Sequence, residues 1–315
     1  MSKIIILLIF HLAFGNFVTS KNIFSQIYES LMPQNKKTNP DKIGPKPYWD
    51  EIESREAGAE VDNWDPSKET NVWEHSGLYE GDIFLELGRN GLLNKTARWP
   101  KGIVPYRIEE EDFTENEILT IRQAINEYHN KTCLKLRPLK KTDVNWIEIV
   151  GSKSGCWSSV GMQGDGQLLN LQTPNCVRFG VVLHELMHAV GFYHQQSASN
   201  RDDFVKIHWE NIKDGREHNF NKYNETAITD FGIEYDYKSV MHYSGKAFSK
   251  NQKPTIEALK GNVTLGQRNG FTESDIKKLN VMYEEECKKR AEEPEEDKID
   301  WGSLLSPWKK KDIQN

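Results

Sequence analysis

Residues 184–196 read HELMHAVGFYHQQ, with histidines at 184, 188 and 194 and one carboxylate, Glu185. Residues four apart on an α-helix project from nearly the same face, one turn above the other. His184 and His188 can therefore point both imidazoles at one place, within the ~2.0–2.1 Å that a zinc–nitrogen bond requires. Glu185 stands one step round from His184, placed to serve not as a ligand of that metal but as a general base for water held beside it. A straight helix would carry His194 ~80° off this face and three turns up the axis. Gly191 resolves the difficulty, because glycine takes positive φ without steric cost and can end the helix and turn the chain back. Three neutral imidazoles leave the metal its full charge and a free position, as a catalytic zinc site needs.

A second motif agrees. Ser239–Tyr243 reads SVMHY, 45 residues past His194. Beside the three-histidine pattern it matches the methionine turn that underlies metzincin zinc sites.

The rest of the chain frames this segment. Its 315 residues are 37 % hydrophobic and 28 % charged, a globular composition, and the net charge of −6 gives no support to nucleic-acid binding. Lys3 precedes the apolar run IIILLIFHLAF and the small residues around Ser20. That pattern reads as a signal peptide over 1–20, too short to span a bilayer, and no later run is long enough for a membrane span. A secreted chain with four cysteines, Cys133, Cys156, Cys176 and Cys287, is expected to form two disulfides, with three pairings open. Asn94, Asn130, Asn224 and Asn262 are glycosylation candidates.

Residues 21–89 are polar, tryptophan-bearing and interrupted by prolines, and read as an extended pro-region without a core of its own. WPKGIVPYRIEE from Trp99 predicts a strand whose prolines suit an edge or strand end. Thr114 and Glu117 form a capping box, and Ile118, Ile121, Ile125 and Tyr128 follow at helical spacing. WIEIV (146–150) and QLLNLQ (167–172) predict strands, and Val177 to Val190 an apolar helix. A last helix starts at Thr272, with Asp275 in the capping-box position and Ile276, Leu279 and Tyr283 inward. Residues 288–315 read as a charged tail.

With both motifs in place, residues 99–287 resemble the astacin family of zinc endopeptidases, which HELMHAVGFYH, SVMHY and SGCWSSVG carry. The resemblance implies an α+β metzincin domain over 90–287. Its two lobes would flank an active-site cleft: a twisted mixed sheet with long helices above, an irregular lower lobe with a C-terminal helix below. It implies one zinc per chain on His184, His188 and His194, with Glu185 as base and Tyr243 as a labile further ligand that stabilises the oxyanion. It pairs Cys133 with Cys287 and Cys156 with Cys176. It gives Asp82, in YEGD, the place of water on the zinc in a zymogen activated by cleavage after Arg89. The expected protein is a secreted, monomeric protease of proteins or peptides; the other reading is a catalytically silent binding protein of the same fold. The resemblance implies a preference for acidic residues just after the scissile bond. Departures stand at Gln195, where the family commonly has a glutamate that anchors the freed α-amino group, and at Ala198 and Asn200. A neutral amide binds an ammonium less tightly than a carboxylate does, so looser anchoring is expected.

Overall fold

The computed structural model describes residues 51–85, 95–224 and 229–292. The signal peptide, the pro-region before residue 51, Arg89 and Asn90, Asn94 and the tail beyond residue 292 lie outside the described residues.

Helix α1 (Glu51–Asp62) and strand β1 (Ile83–Phe84) come from the segment expected to be extended. That expectation is corrected: Ala57 and Val61 of α1 are buried, and Gly58 lies so close to the Lys153 carbonyl that a Cβ there would be 2.4 Å from its oxygen. The segment has no periodic apolar stripe because its few apolar contacts are made with the domain that follows. Then come β2 (Ile103–Ile108), α2 (Glu115–Lys131), β3 (Lys135–Pro138), β4 (Trp146–Val150), β5 (Cys156–Ser159), β6 (Gly166–Leu171) and α3 (Phe179–Ala189). Strands β7 (Val205–Ile207) and β8 (Ile256–Ala258) and the long helix α4 (Glu273–Ala291) complete the order.

Six strands form one sheet in the order β1-β5-β6-β4-β2-β3. Only β5 and β6 pair antiparallel; every other pair is parallel, so the sheet is mixed as expected. Pro105 is not at an edge, since β2 lies between β3 and β4. The ladder to β4 begins only at Tyr106, so the missing proline N–H costs that ladder no bond. Helix α2 opens on its capping box, with the Thr114 amide donating to Glu117 Oε2 (2.8 Å). It buries Ile118, Ile121, Ala124, Ile125 and Tyr128. Its Tyr128 hydroxyl donates to the Leu183 carbonyl (2.9 Å), fastening α2 to α3.

Helix α3 is buried on every side, which fits an apolar sequence without a polar stripe. Its C-terminal carbonyls would be orphaned in the core, but side chains meet them. Trp99 Nε1 donates to Ala189 O (2.8 Å) and the Tyr283 hydroxyl to Val190 O (2.9 Å). The Cys156–Cys176 disulfide ties β5 to the entry of α3, and Cys133–Cys287 ties the start of β3 to α4, the pairing the resemblance implied. The second half of the domain is irregular: the β7–β8 ribbon and short 3-10 turns, with α4 behind them. Helix α4 runs past Cys287 to Ala291, beyond the expected boundary, and buries Lys278, Leu279, Met282 and Tyr283, while Ile276 is only half-buried. Among the described residues no helix is long and apolar enough to cross a membrane.

His129, on α2, carries a pH signature of this packing. Burial first, then the Lys135 ammonium, holds its imidazole down to about 4 from 6.5, and its Nε2 accepts the Leu136 amide (2.9 Å). The native ring stays neutral where the unfolded chain takes up a proton. Its contribution is therefore complete above pH 6.5 and lost as pH falls toward 4, by up to about 3 kcal/mol. Urea unfolding midpoints are expected to fall across that window, and less steeply in His129→Asn. Parallel slopes in the two proteins would assign the loss to other groups.

Candidate metal centre

The turn at the end of α3 does what the third histidine requires. Gly191 has φ +112, and its amide closes on the His188 carbonyl (2.7 Å). The chain then doubles back, and the Phe192 carbonyl meets His188 Nδ1 at 2.6 Å. His194 arrives beside the helix with Nε2 3.3 Å from His184 Nε2.

Each ring is fixed through its outer nitrogen. His184 Nδ1 donates to Val240 O (2.8 Å), His188 Nδ1 to Phe192 O and His194 Nδ1 to the Glu80 carboxylate (2.7 Å). With the proton committed to Nδ1, the lone pair of every ring sits on Nε2, facing inward. The methionine turn thereby acquires a specific task, because Val240 lies inside SVMHY. Asp275 holds that turn, accepting from Ser239 Oγ (2.6 Å) and the Val240 amide (3.0 Å) while it also caps α4 through the Thr272 amide (3.1 Å). Met241 is buried, and its carbonyl accepts the Gln195 amide (3.0 Å).

Asp82 completes a fourth corner. Its Oδ1 lies 3.4 Å from both His188 Nε2 and His194 Nε2, and its Oδ2 is 2.8 Å from His184 Nε2. A tetrahedron with zinc-length arms of ~2.0–2.1 Å has edges of ~3.4 Å, so these spacings suit such an ion. Asp82 Oδ1 and His188 Nε2 are buried with no hydrogen-bond partner among the described residues. Orphaned, buried atoms that converge on one point suit a bound cation. Electrostatics agree: burial pushes the His194 imidazole down, but the carboxylates of Asp82 and Glu80 outweigh it and raise it to about 9. That spot favours positive charge, which a metal ion supplies as readily as a proton. At His184 burial outweighs Asp82 and holds the imidazole well below its ordinary range.

Glu185 is fully buried and neither of its oxygens has a hydrogen-bond partner among the described residues. Burial first, then the like charge of Asp82, holds its carboxyl well above the ordinary range, with Arg268 pulling the other way. Tyr243 lies with its ring centroid 4.7 Å from that of His194. Its hydroxyl is not directed to the donor cluster; it donates to the Glu80 carbonyl (2.7 Å).

Several partners were not legible as site residues. Trp73 stacks on His184 (4.4 Å) and on His194 (4.8 Å), with the Arg268 guanidinium 4.9 Å from its centroid. Glu74 accepts from the Ser244 amide (2.7 Å) and hydroxyl (2.8 Å). The Asn71-x-x-Glu74 spacing could have signalled the capped turn that carries Trp73, though not the stacking. Gln195 Oε1 accepts from the buried Lys278 ammonium (2.5 Å) in a cavity of about 320 Å³ that Ala198 and Asn200 also line. Asn130 and Asn262 are exposed, as glycosylation candidates must be.

The family model described as Astacin, a peptidase family, matches residues 91–284. The chain is 44 % identical over 195 residues to zinc metalloproteinase nas-13 of Caenorhabditis elegans, covering 62 % of this chain and 43 % of that one. It is 41 % identical over 210 residues to the human meprin A subunit beta, covering 65 % of this chain and 29 % of that one. This chain therefore spans less than half the length of these relatives. Among solved structures, high choriolytic enzyme 1, a hatching enzyme zinc-protease of the medaka Oryzias latipes, superposes with a TM-score of 0.57 at 35 % identity. That likeness covers 61 % of this chain and 96 % of the fish enzyme. On its histidine constellation, its methionine turn and a family match over most of the described domain, the chain belongs to the astacin family.

Proposed function

We propose that this chain is a secreted zinc endopeptidase, made as a zymogen in which residues 71–84 lie over the metal. The observation that carries the reading is the set of three inward Nε2 atoms and Asp82 Oδ1, beside the buried Glu185 carboxyl, whose oxygens have no hydrogen-bond partner among the described residues. His184, His188 and His194 would hold the zinc, with Asp82 in the fourth place until the segment leaves. Zinc, when bound, supplies the Lewis acidity that makes water a competent nucleophile near neutral pH.

The chain's own groups supply the rest. As water attacks the scissile carbonyl carbon, Glu185 takes its proton. The same carboxyl then returns a proton to the amide nitrogen as the C–N bond breaks. Departure of the segment frees the Tyr243 hydroxyl from the Glu80 carbonyl, and the phenol can then donate to the developing oxyanion. Latency follows from burial: the histidines are fully or almost fully buried under Trp73 and Asp82, so no substrate reaches them while those residues stay. A silent binding protein has no use for an orphaned buried glutamate, which costs stability in its own right.

Arg268 supports an acidic preference next to the scissile bond. Burial lowers its guanidinium to about 10, while the charges of Glu74, Asp82 and Glu185 raise it, and two of these carboxylates belong to the covering segment. Removal of that segment leaves a half-buried cation for a substrate carboxylate to replace them.

Processed chain is expected to cleave peptides, with chelator abolishing turnover, zinc restoring it, and Glu185→Gln lowering kcat by roughly 10²–10⁴-fold. A zinc-loaded processed chain inert on a broad peptide library would decide for the binding protein. In the intact chain, Asp82→Ala is expected to raise residual turnover at least about tenfold, ~1.4 kcal/mol of lost latch. Unchanged latency would mean that the covering residues block access without help from Asp82. Cleavage-site profiling of Arg268→Gln is expected to lose acidic residues just after the scissile bond while overall peptide turnover survives; a retained acidic preference would place the reader elsewhere.

A further inference from the structure

Glu80 stands where the backbone disfavours it. Its φ is +47, in the left-handed region that glycine, asparagine and aspartate adopt most readily, and Gly81 follows at +94. A glycine at position 80 would relieve this turn. The glutamate keeps every polar atom occupied instead. Its amide donates to Asn219 Oδ1 (2.9 Å) and its carbonyl accepts the Tyr243 hydroxyl (2.7 Å). Its carboxylate accepts from Ser197 Oγ (2.9 Å) through Oε1 and from His194 Nδ1 (2.7 Å) through Oε2. Residue 80 is 1 % exposed, so these bonds are made out of water.

The other two histidines donate their outer N–H groups to backbone carbonyls of the domain that carries them, Val240 and Phe192. Only His194 depends on the covering segment for that acceptor, and there the acceptor is a carboxylate. We infer that Glu80 is a positioning residue for the third zinc ligand. Through His194 it makes the segment and the metal bind cooperatively, so the chain holds zinc more tightly before processing than after. The physical link is a single hydrogen bond shared by two equilibria. Zinc on Nε2 keeps the proton on Nδ1, where it strengthens the grip of Glu80. A carboxylate on Nδ1–H in turn makes Nε2 a better donor to the metal. Coupling of this kind is reciprocal, so zinc also helps to hold the segment in place. Asp82 and Glu80 thus grip opposite sides of one imidazole from a single turn of chain.

This inference rests on the proposed zinc site and covering segment, and its test does not use turnover. The zinc dissociation constant of the intact chain is measured by competition with a chromogenic chelator, for wild type, Glu80→Gln and Glu80→Gly. Glu80→Gly is expected to weaken zinc binding 10–100-fold, the usual cost of losing such a partner, with Glu80→Gln between it and wild type. A purely conformational role for residue 80 predicts the reverse, since glycine suits the turn. In the Asp82→Ala background, Glu80→Gly is expected to weaken binding by a similar factor; loss of the effect there would show that residue 80 acts only by placing Asp82, and would overturn the proposal. Wild-type affinity in intact Glu80→Gly would overturn it as well. Equal peptide turnover by intact and processed wild type would instead refute latency, and leaves the zinc measurements to decide the role of Glu80.

Discussion

The site depends on one constraint: an imidazole can offer a metal one nitrogen only if its proton is kept on the other. Three rings must meet that condition at once, in a space where the inner nitrogens of His184 and His194 lie 3.3 Å apart. The fold answers with three fixed acceptors drawn from three places. Phe192 follows the helix, Val240 belongs to the methionine turn and Glu80 to the covering segment. Much of the surrounding structure exists to hold these acceptors still. Asp275 pins the methionine turn from α4, and Trp99 and Tyr283 close the end of α3 from opposite ends of the domain.

That arrangement explains how a helix with no polar face can hold the proposed metal site. Helix α3 is enclosed by α2, the sheet and the C-terminal helix, so its histidines have no freedom to turn toward water. Rigidity comes from packing, and the polar groups embedded in it are fixed by a few bonds with buried ends. The exception is Glu185, whose oxygens have no hydrogen-bond partner among the described residues. A buried carboxyl left in that condition lowers stability, and its retention makes sense where chemistry needs a base beside the metal.

The parts legible in the sequence were those governed by local spacing. His184 and His188 share a face because four residues make a helical turn, and Gly191 marks the reversal because only glycine takes its φ readily. The capping residues Thr114 and Thr272 show their helices for the same kind of reason. What the sequence did not disclose is contact between residues far apart in the chain. Trp73 stacks on histidines more than a hundred positions away, and Glu80 reaches His194 across 114. No periodicity in residues 51–84 marks them, because the surface they fit belongs to the later domain. Pro105 misled for a related reason: an edge preference is a statement about neighbouring strands, and the register that spares its missing N–H appears only once β4 is in place.

The covering segment shows how a short peptide can hold a deep site without a core of its own. Its strand β1 is two residues long and pairs with β5 at one end of the sheet, far too little to anchor it alone. It adds groups that each meet one the proposed chemistry would need: the inward histidine nitrogens, an imidazole N–H, a phenol and a guanidinium. In the proposed zymogen, the contacts to His184, His194, Tyr243 and Arg268 tie part of that hold to residues on which the proposed activity also depends. The strained turn at Glu80 and Gly81 is where this economy is most concentrated, because it aims two carboxylates, from residues two apart, at the same ring.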